Sequence, residues 1–231
     1  MRFIASLLLC VSLPSLAATP PEHIVAQYSI SYTGITIGRV DELFARHGNS
    51  YTIESVTRSE GPLKAFLDDQ ITVGSSGRVG EAGLQPISYF ERRLKNGKRD
   101  LTSEFDWDKG VMRTSSGGQD SVTALPRATQ DRISMMYQFM SMKDMGATLV
   151  VPMATRRKIE MYTYKFIEET RLATPAGEFE TRHYQRVTND PKDTKADVWL
   201  AKDRFNFPVR VLLDDPKGFK LDQVLVSLEA R

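Results

Sequence analysis

Three histidines, His23, His47 and His183, are the side chains best suited to move a proton near neutral pH. His47 precedes Gly48 in a turn-like stretch and His23 stands near the amino terminus, so both read as solvated. His183 alternates with Tyr184 in a strand pattern, which suits a structural role better than a catalytic one. The rest of a catalytic set is missing: there is no Gly-x-Ser-x-Gly elbow, His-Glu-x-x-His pair or glycine-rich phosphate loop, and Cys10 is the one cysteine. The carboxylate pairs Asp68-Asp69 and Asp214-Asp215 are adjacent residues, which a strand points to opposite faces. A glycosidase instead holds two carboxyls ~5 to 10 Å apart across its substrate. Asp214-Asp215 before Pro216 has the composition of a turn, and nothing has metal-ligand spacing. The chain therefore reads as non-enzymatic, without metal or cofactor. A hydrolase of surface polysaccharide built on His183 or distant carboxylates is the enzymatic alternative.

Binding chemistry is the better prospect. Basic residues gather at Arg92-Arg93 with Lys95, Lys98 and Arg99, and again at Arg156-Arg157-Lys158. They read either as cations that guard strand edges or as contacts to phosphate or carboxylate on an envelope glycolipid or polysaccharide. A formal net charge of +2, spread along the chain, argues against a nucleic-acid partner.

An apolar binding surface would come from residues 129–146, the one stretch with helical periodicity. Ile133, Met136, Tyr137 and Met140 form one stripe, and Met135, Phe139 and Met142 a second beside it. Thr129 is placed to cap the helix, Asp131 to meet its positive end, and Gly146 to end it in the left-handed conformation. Five of the nine methionines lie here, and flexible thioethers suit a core or an acyl chain alike. A helix apolar on two sides belongs inside a curved sheet. If a cavity adjoins it, Met135, Met136, Phe139, Met140 and Met142 line it, with Trp107 and Trp199 as walls.

The remaining chain reads as strands. Residues 1–17 have the charged start, apolar middle and small-residue end of a cleavable export signal, leaving no cysteine and no span long enough for a bilayer. Alternation then marks strands at 23–32, 35–46, 51–59, 70–74, 87–107, 111–125, 148–153, 156–169, 179–187, 195–201, 207–213 and 219–228, with a helical turn near 63–67. Asn96-Gly97 predicts a two-residue type I′ turn placing Lys95 opposite Lys98. Phe90, Leu94, Leu101, Phe105 and Trp107 would then share a dry face with Arg92. That guanidinium either snorkels to water or meets an anionic ligand at a cavity rim. One domain over 18–231 follows, mainly β: a single antiparallel rolled or spiral sheet around one main helix near 129–145.

Several spacings carry a resemblance. Tyr28-x-x-x-Tyr32 followed by Gly34 and Gly38, Gly83-Leu84-x-Pro86 before Tyr89, and Asp131-x-x-Ser134-x-x-Tyr137 are joined by Thr174-x-x-Gly177-x-Phe179. Trp199-Leu200-Ala201 ahead of Phe207-Pro208-Val209 completes the set. In that order they resemble the bacterial exported proteins of the domain-of-unknown-function 3108 family. The resemblance implies a periplasmic or surface-exposed protein of Gram-negative bacteria with a rolled sheet, and no reaction or catalytic residue. The Trp-Leu-Ala hairpin is also similar to envelope lipoprotein carriers with half-barrel sheets over a helix. The expected partner is an envelope lipid, glycolipid or polysaccharide; a protein-assembly role through exposed strand edges is the alternative.

Overall fold

The computed structural model describes residues 20–64, 69–142, 145–156, 158–188 and 190–231. The export signal expected over 1–17 lies outside them, as do residues 65–67 of the expected helical turn, Asp68 and Arg157. Alternating inward apolar and outward polar residues build the strands of the first half: β1 (His23–Tyr32), β2 (Ile35–His47), β3 (Ser50–Ser59), β4 (Gln70–Gly80), β5 (Gly83–Arg93), β6 (Leu101–Asp106), β7 (Val111–Ser116) and β8 (Gln119–Ala124). The second half supplies β9 (Thr148–Ala154), β10 (Ile159–Thr174), β11 (Gly177–Arg186), β12 (Lys195–Ala201), β13 (Phe207–Asp214) and β14 (Lys220–Ala230). One helical turn, α1 (Gly61–Lys64), interrupts the first meander.

All fourteen strands join one sheet in the order β8-β7-β6-β5-β4-β3-β2-β1-β14-β13-β12-β11-β10-β9. It is two antiparallel meanders fused where the first strand meets the last, from Ile24 opposite Ala230 to Tyr32 opposite Leu221. The sheet stays open, with β8 and β9 as its edges.

What fills the roll is the segment that follows β8. Gln130 bridges to β9, its N–H donating to the Pro152 carbonyl and its own carbonyl accepting from Ala154, both at 2.8 Å. Its amide side chain reaches the other meander, donating to the Leu84 carbonyl at 2.8 Å. The helix α2 (Ser134–Gln138) follows, tightened by a 3-10 turn over Phe139–Ser141. Both expected stripes are buried apart from Met136 and Met142, which are half-buried, and each packs against its own wall. Ile133, Tyr137 and Met140 join a core with Tyr28, Phe44, Tyr51 and Phe105, while Met135 and Phe139 join Leu149, Val151, Met153, Tyr164, Tyr184 and Leu200. Met136 packs against both.

Two expectations need correction. The helix is much shorter than 129–146: Thr129 is not its cap but donates to the Pro126 carbonyl at 2.7 Å, and the chain is extended again at Met142. Gly146 lacks the positive φ of a helix-ending glycine. The hairpin also takes another register. Asn96 has φ −144° and residues 97–99 form a 3-10 turn, so Glu91, and not Arg92 as the two-residue turn would have it, lies opposite Leu101. A one-residue slip turns a strand over. Tyr89 and Glu91 are therefore buried, while Arg92 and Leu94 are exposed. Phe90 lies on the outer face over Gly74, where a Cβ would fall 2.3 Å from its ring.

The tightest link between helix and sheet is at Gln138, whose carboxamide accepts from the Leu84 N–H at 2.7 Å and donates to the Ala82 carbonyl at 2.8 Å. This clasp requires Gly83, which has φ +96° and leaves only 2.4 Å between a would-be Cβ and Gln138 Oε1. Gly83→Ala should lower the unfolding free energy by about 2 to 4 kcal/mol in urea denaturation. Gly80→Ala, where nothing lies within 4 Å, should change it by less than about 0.5 kcal/mol. Equal effects would deny the clasp its role.

Candidate functional site

Asp131 anchors the inner segment. Its Oδ1 accepts from the backbone N–H of Ile133 at 3.0 Å and of Ser134 at 2.8 Å, and its Oδ2 accepts from the Ser75 hydroxyl at 2.6 Å. Ser75 also bonds the Tyr51 hydroxyl at 3.0 Å, so one carboxylate ties the helix start to β4 and β3. The Ser134 hydroxyl returns to the Asp131 N–H at 3.0 Å, a reciprocal cap. Burial raises Asp131 to about 6 although each of these bonds favours the anion.

A second carboxylate, Glu42, lies on the inward parity of β2 between Val40 and Phe44. It accepts from the Tyr137 hydroxyl at 3.1 Å and from Ser55 at 3.2 Å. Burial raises it to about 7, against those two bonds and the charge of Arg132. Tyr137 is itself pushed up by burial and then by the charge of Glu42. Its ring stacks on Phe44 at 5.1 Å and meets the edge of Phe207 at 5.9 Å.

Tyr137 and the end of the 3-10 turn face an open end of the roll. There two clefts flank the turn between β4 and β5. One, about 490 Å³, is lined by Phe44, Arg46, Tyr137, Met140, Ser141 and the leading Pro20-Pro21, among others. The other, about 530 Å³, is lined by Arg78, Gln85, Trp107, Arg127 and Ala128, among others. They share Asn49, Val79, Gly80, Glu81, Gly83 and Leu84.

The structure scatters the sequence-predicted site residues. Met140 lines the first cleft and Trp107 the second. Trp107 is held by its indole N–H, which donates to the Pro86 carbonyl at 2.6 Å. Met135 and Phe139 are fully enclosed in the second core cluster, and Met136 is half-buried between the two. Met142 is half-buried, its carbonyl accepting from Asn206 at 3.3 Å. Trp199 stacks on His183 at 4.3 Å, with the Arg210 guanidinium 4.7 Å from its ring. Arg92 lies over Phe90, 4.8 Å from the ring centre, on the exposed face. His183 Nε2 is 2.7 Å from Asp197, and Asp215 serves its turn by accepting from the Lys217 N–H at 2.9 Å.

Sequence reasoning passed over Glu42, Phe44, Arg46, Arg78, Glu81 and Arg127. A carboxylate on the apolar parity of β2 was a visible signal for Glu42. The others are brought together by turns, which periodicity does not position. Among the described residues, no group of three or more histidine, cysteine, aspartate or glutamate side chains can hold a metal, and no helix is long and apolar enough to cross a membrane.

A family model described as protein of unknown function (DUF3108) matches residues 27–224. No curated protein matches the chain in sequence. Among solved structures, a β-barrel-like protein of domain of unknown function DUF1849 from Brucella abortus is similar over 93% of this chain and 100% of its own, with TM-score 0.58 and 12% identity. A structure described as a lipoprotein from Parabacteroides distasonis covers 91% of this chain and 96% of its own at TM-score 0.38 and 11% identity. One described as an exported protein with YmcC-like fold from Bacteroides fragilis covers 90% and 96% at 0.33 and 12%. At these identities the likeness is one of fold, and only the first is close enough to argue it.

Two inward-facing carboxyls, the buried Asp131 and the half-buried Glu42, make stability depend on pH. Both bind their proton more tightly folded than unfolded, so their cost appears above the unfolded values of 4.5 and 3.8 and is complete only above about 7 and 6. Thermal stability should therefore fall as pH rises from 5 to 8. Glu42→Gln should gain about 1 to 3 kcal/mol at pH 8 and much less at pH 5. Calorimetric scans across that range check this, and a pH-independent effect of the substitution would refute it.

Proposed function

Taking as premise that the chain belongs to the DUF3108 family, which brings no reaction with it, we propose that it is a non-enzymatic periplasmic protein that binds an amphiphilic envelope component. The observation that supports this reading is the cleft at the end of the roll, where Phe44, Leu84, Tyr137 and Met140 offer an apolar wall and arginines stand close by. Clefts of a few hundred Å³ with an apolar lining and few polar groups are typical small-molecule sites. The helix residues Met135 and Phe139 are enclosed by the protein's own side chains, which supports a guest at the roll's end, against Met140, over one beside the helix.

Trp107 lines the adjoining cleft across the β4–β5 turn and Trp199 lines neither. In a Trp199→Phe background, monolauroylglycerol added below its micellar concentration should shift the Trp107 emission to the blue. Ser141→Phe, which narrows the apolar cleft, should weaken the response by about tenfold. No response in the parent, or an unchanged one in the narrowed variant, would remove the reading.

Assembly with another protein through strand addition is the second reading, supported by the open edge strand β8, where Val122 is 65% exposed. A photo-crosslinker at Val122 that captures a specific envelope protein in cells would favour it. Capture only of abundant bystanders would not.

A further inference from the structure

We infer that the headgroup taken at this cleft carries a phosphate, held between Arg78 and Arg127; this rests on the amphiphile reading above and narrows it. Most of the described arginines are paired with a carboxylate. Arg58 is 2.6 Å from Asp41, Arg93 is 3.1 Å from Glu91, and Arg210 lies 2.8 Å from Asp222 through both arms of its guanidinium. Arg113 and Arg182 are likewise paired, with Asp106 and Glu169 at 3.3 Å. Arg78 and Arg127, like Arg99 and Arg132, make no such pair among the described residues. Both are exposed, and among the described residues neither has an ion-pair or hydrogen-bond partner on its side chain. Yet both line the same cleft, one from the end of β4 and the other from the segment after β8.

Two guanidiniums from separate segments suit a tetrahedral anion. Each offers planar, directed donors, and a phosphate has oxygens enough to accept from both, whereas one arginine fork already satisfies a carboxylate. Arg46, in the adjoining cleft, spends its Nε on the Gly48 carbonyl at 2.9 Å and adds charge on the acyl-chain side rather than beside Arg78 and Arg127. Glu81 belongs to both lobes and would repel a bare anion. It is accommodated if the headgroup also carries a donor, a hydroxyl or an ammonium, beside its phosphate. The Phe44, Leu84, Tyr137 and Met140 wall then receives the acyl chain. The two clefts share six residues at and around the β4–β5 turn, so a chain in one and a headgroup in the other are separated only by that turn.

The test titrates the full mature chain with three probes: lauroyl lysophosphatidylethanolamine, monolauroylglycerol and inorganic phosphate, each followed by calorimetry. The phosphate amphiphile should bind about tenfold more tightly than the glycerol ester, and phosphate alone far more weakly than either. Arg78→Gln with Arg127→Gln should bring the two amphiphiles to equal affinity while leaving the melting temperature unchanged. Because both side chains are exposed, the single variants report the same trend if the double variant is less stable. Equal affinities in the parent would overturn the phosphate assignment and leave the amphiphile reading standing. Binding of neither amphiphile would overturn both. Tight binding of inorganic phosphate regardless of the acyl chain would replace the headgroup with a free anion.

Discussion

The fold depends on the Asp131 carboxylate. An isolated helix as short as α2 is unstable in water because nucleation costs more than one turn returns. Here a single buried group caps that turn and simultaneously bonds Ser75, which in turn bonds Tyr51. The helix is thus fixed to β4 and β3 at its start and, through Gln138, to the β4–β5 turn at its end. The sheet needs the helix as much: with its two edges β8 and β9 not paired to each other, the inner segment bridges the open side of the sheet, through Gln130 on one side to Pro152 and on the other to Leu84. Arg156 adds to it, reaching from the β9–β10 turn to the Arg99 carbonyl at 3.1 Å.

The cost of this arrangement is electrostatic. Asp131 and Glu42 both lie where the charged form is penalised, and the hydrogen bonds they accept offset only part of that penalty. Each carboxylate is nonetheless bonded to more than one element. Asp131 spans the helix and β4, while Glu42 spans Tyr137 of the helix and Ser55 of β3. Removing either partner would strand a buried polar group, which explains why polar residues occupy an otherwise apolar interior.

How far this could be read from the sequence follows from the range of each interaction. The apolar stripes were legible because helix periodicity is local, and all but Met136 and Met142 of their residues are buried as their spacing implies. The strands were legible for the same reason. The β5–β6 register was not, because the loop is set by Asp100 accepting from the Arg93 N–H at 2.9 Å, a side-chain bond that alternation does not reveal, and by Gln70 of β4 accepting from Leu94, which is distant in sequence. That slip carried Arg92 to the outer face. Trp199 was likewise beyond reach: its surroundings are His183 and Arg210, contributed by two other strands.

The early end of the helix is what leaves the cleft. Continued to Gly146 as its stripe suggests, it would advance about 7 Å beyond Ser141 at 1.5 Å per residue. Tyr137, Met140 and Ser141 are the residues that line the roll's mouth. Further turns along that axis would occupy the space they now face. The chain instead becomes extended at Met142, whose carbonyl is taken by Asn206 of the β12–β13 turn, and leaves for β9. The methionine-rich inner segment therefore has two parts with different duties. Its middle fills the roll, and its abrupt end keeps one mouth open between Phe44 and the β4–β5 turn, where the cations gather.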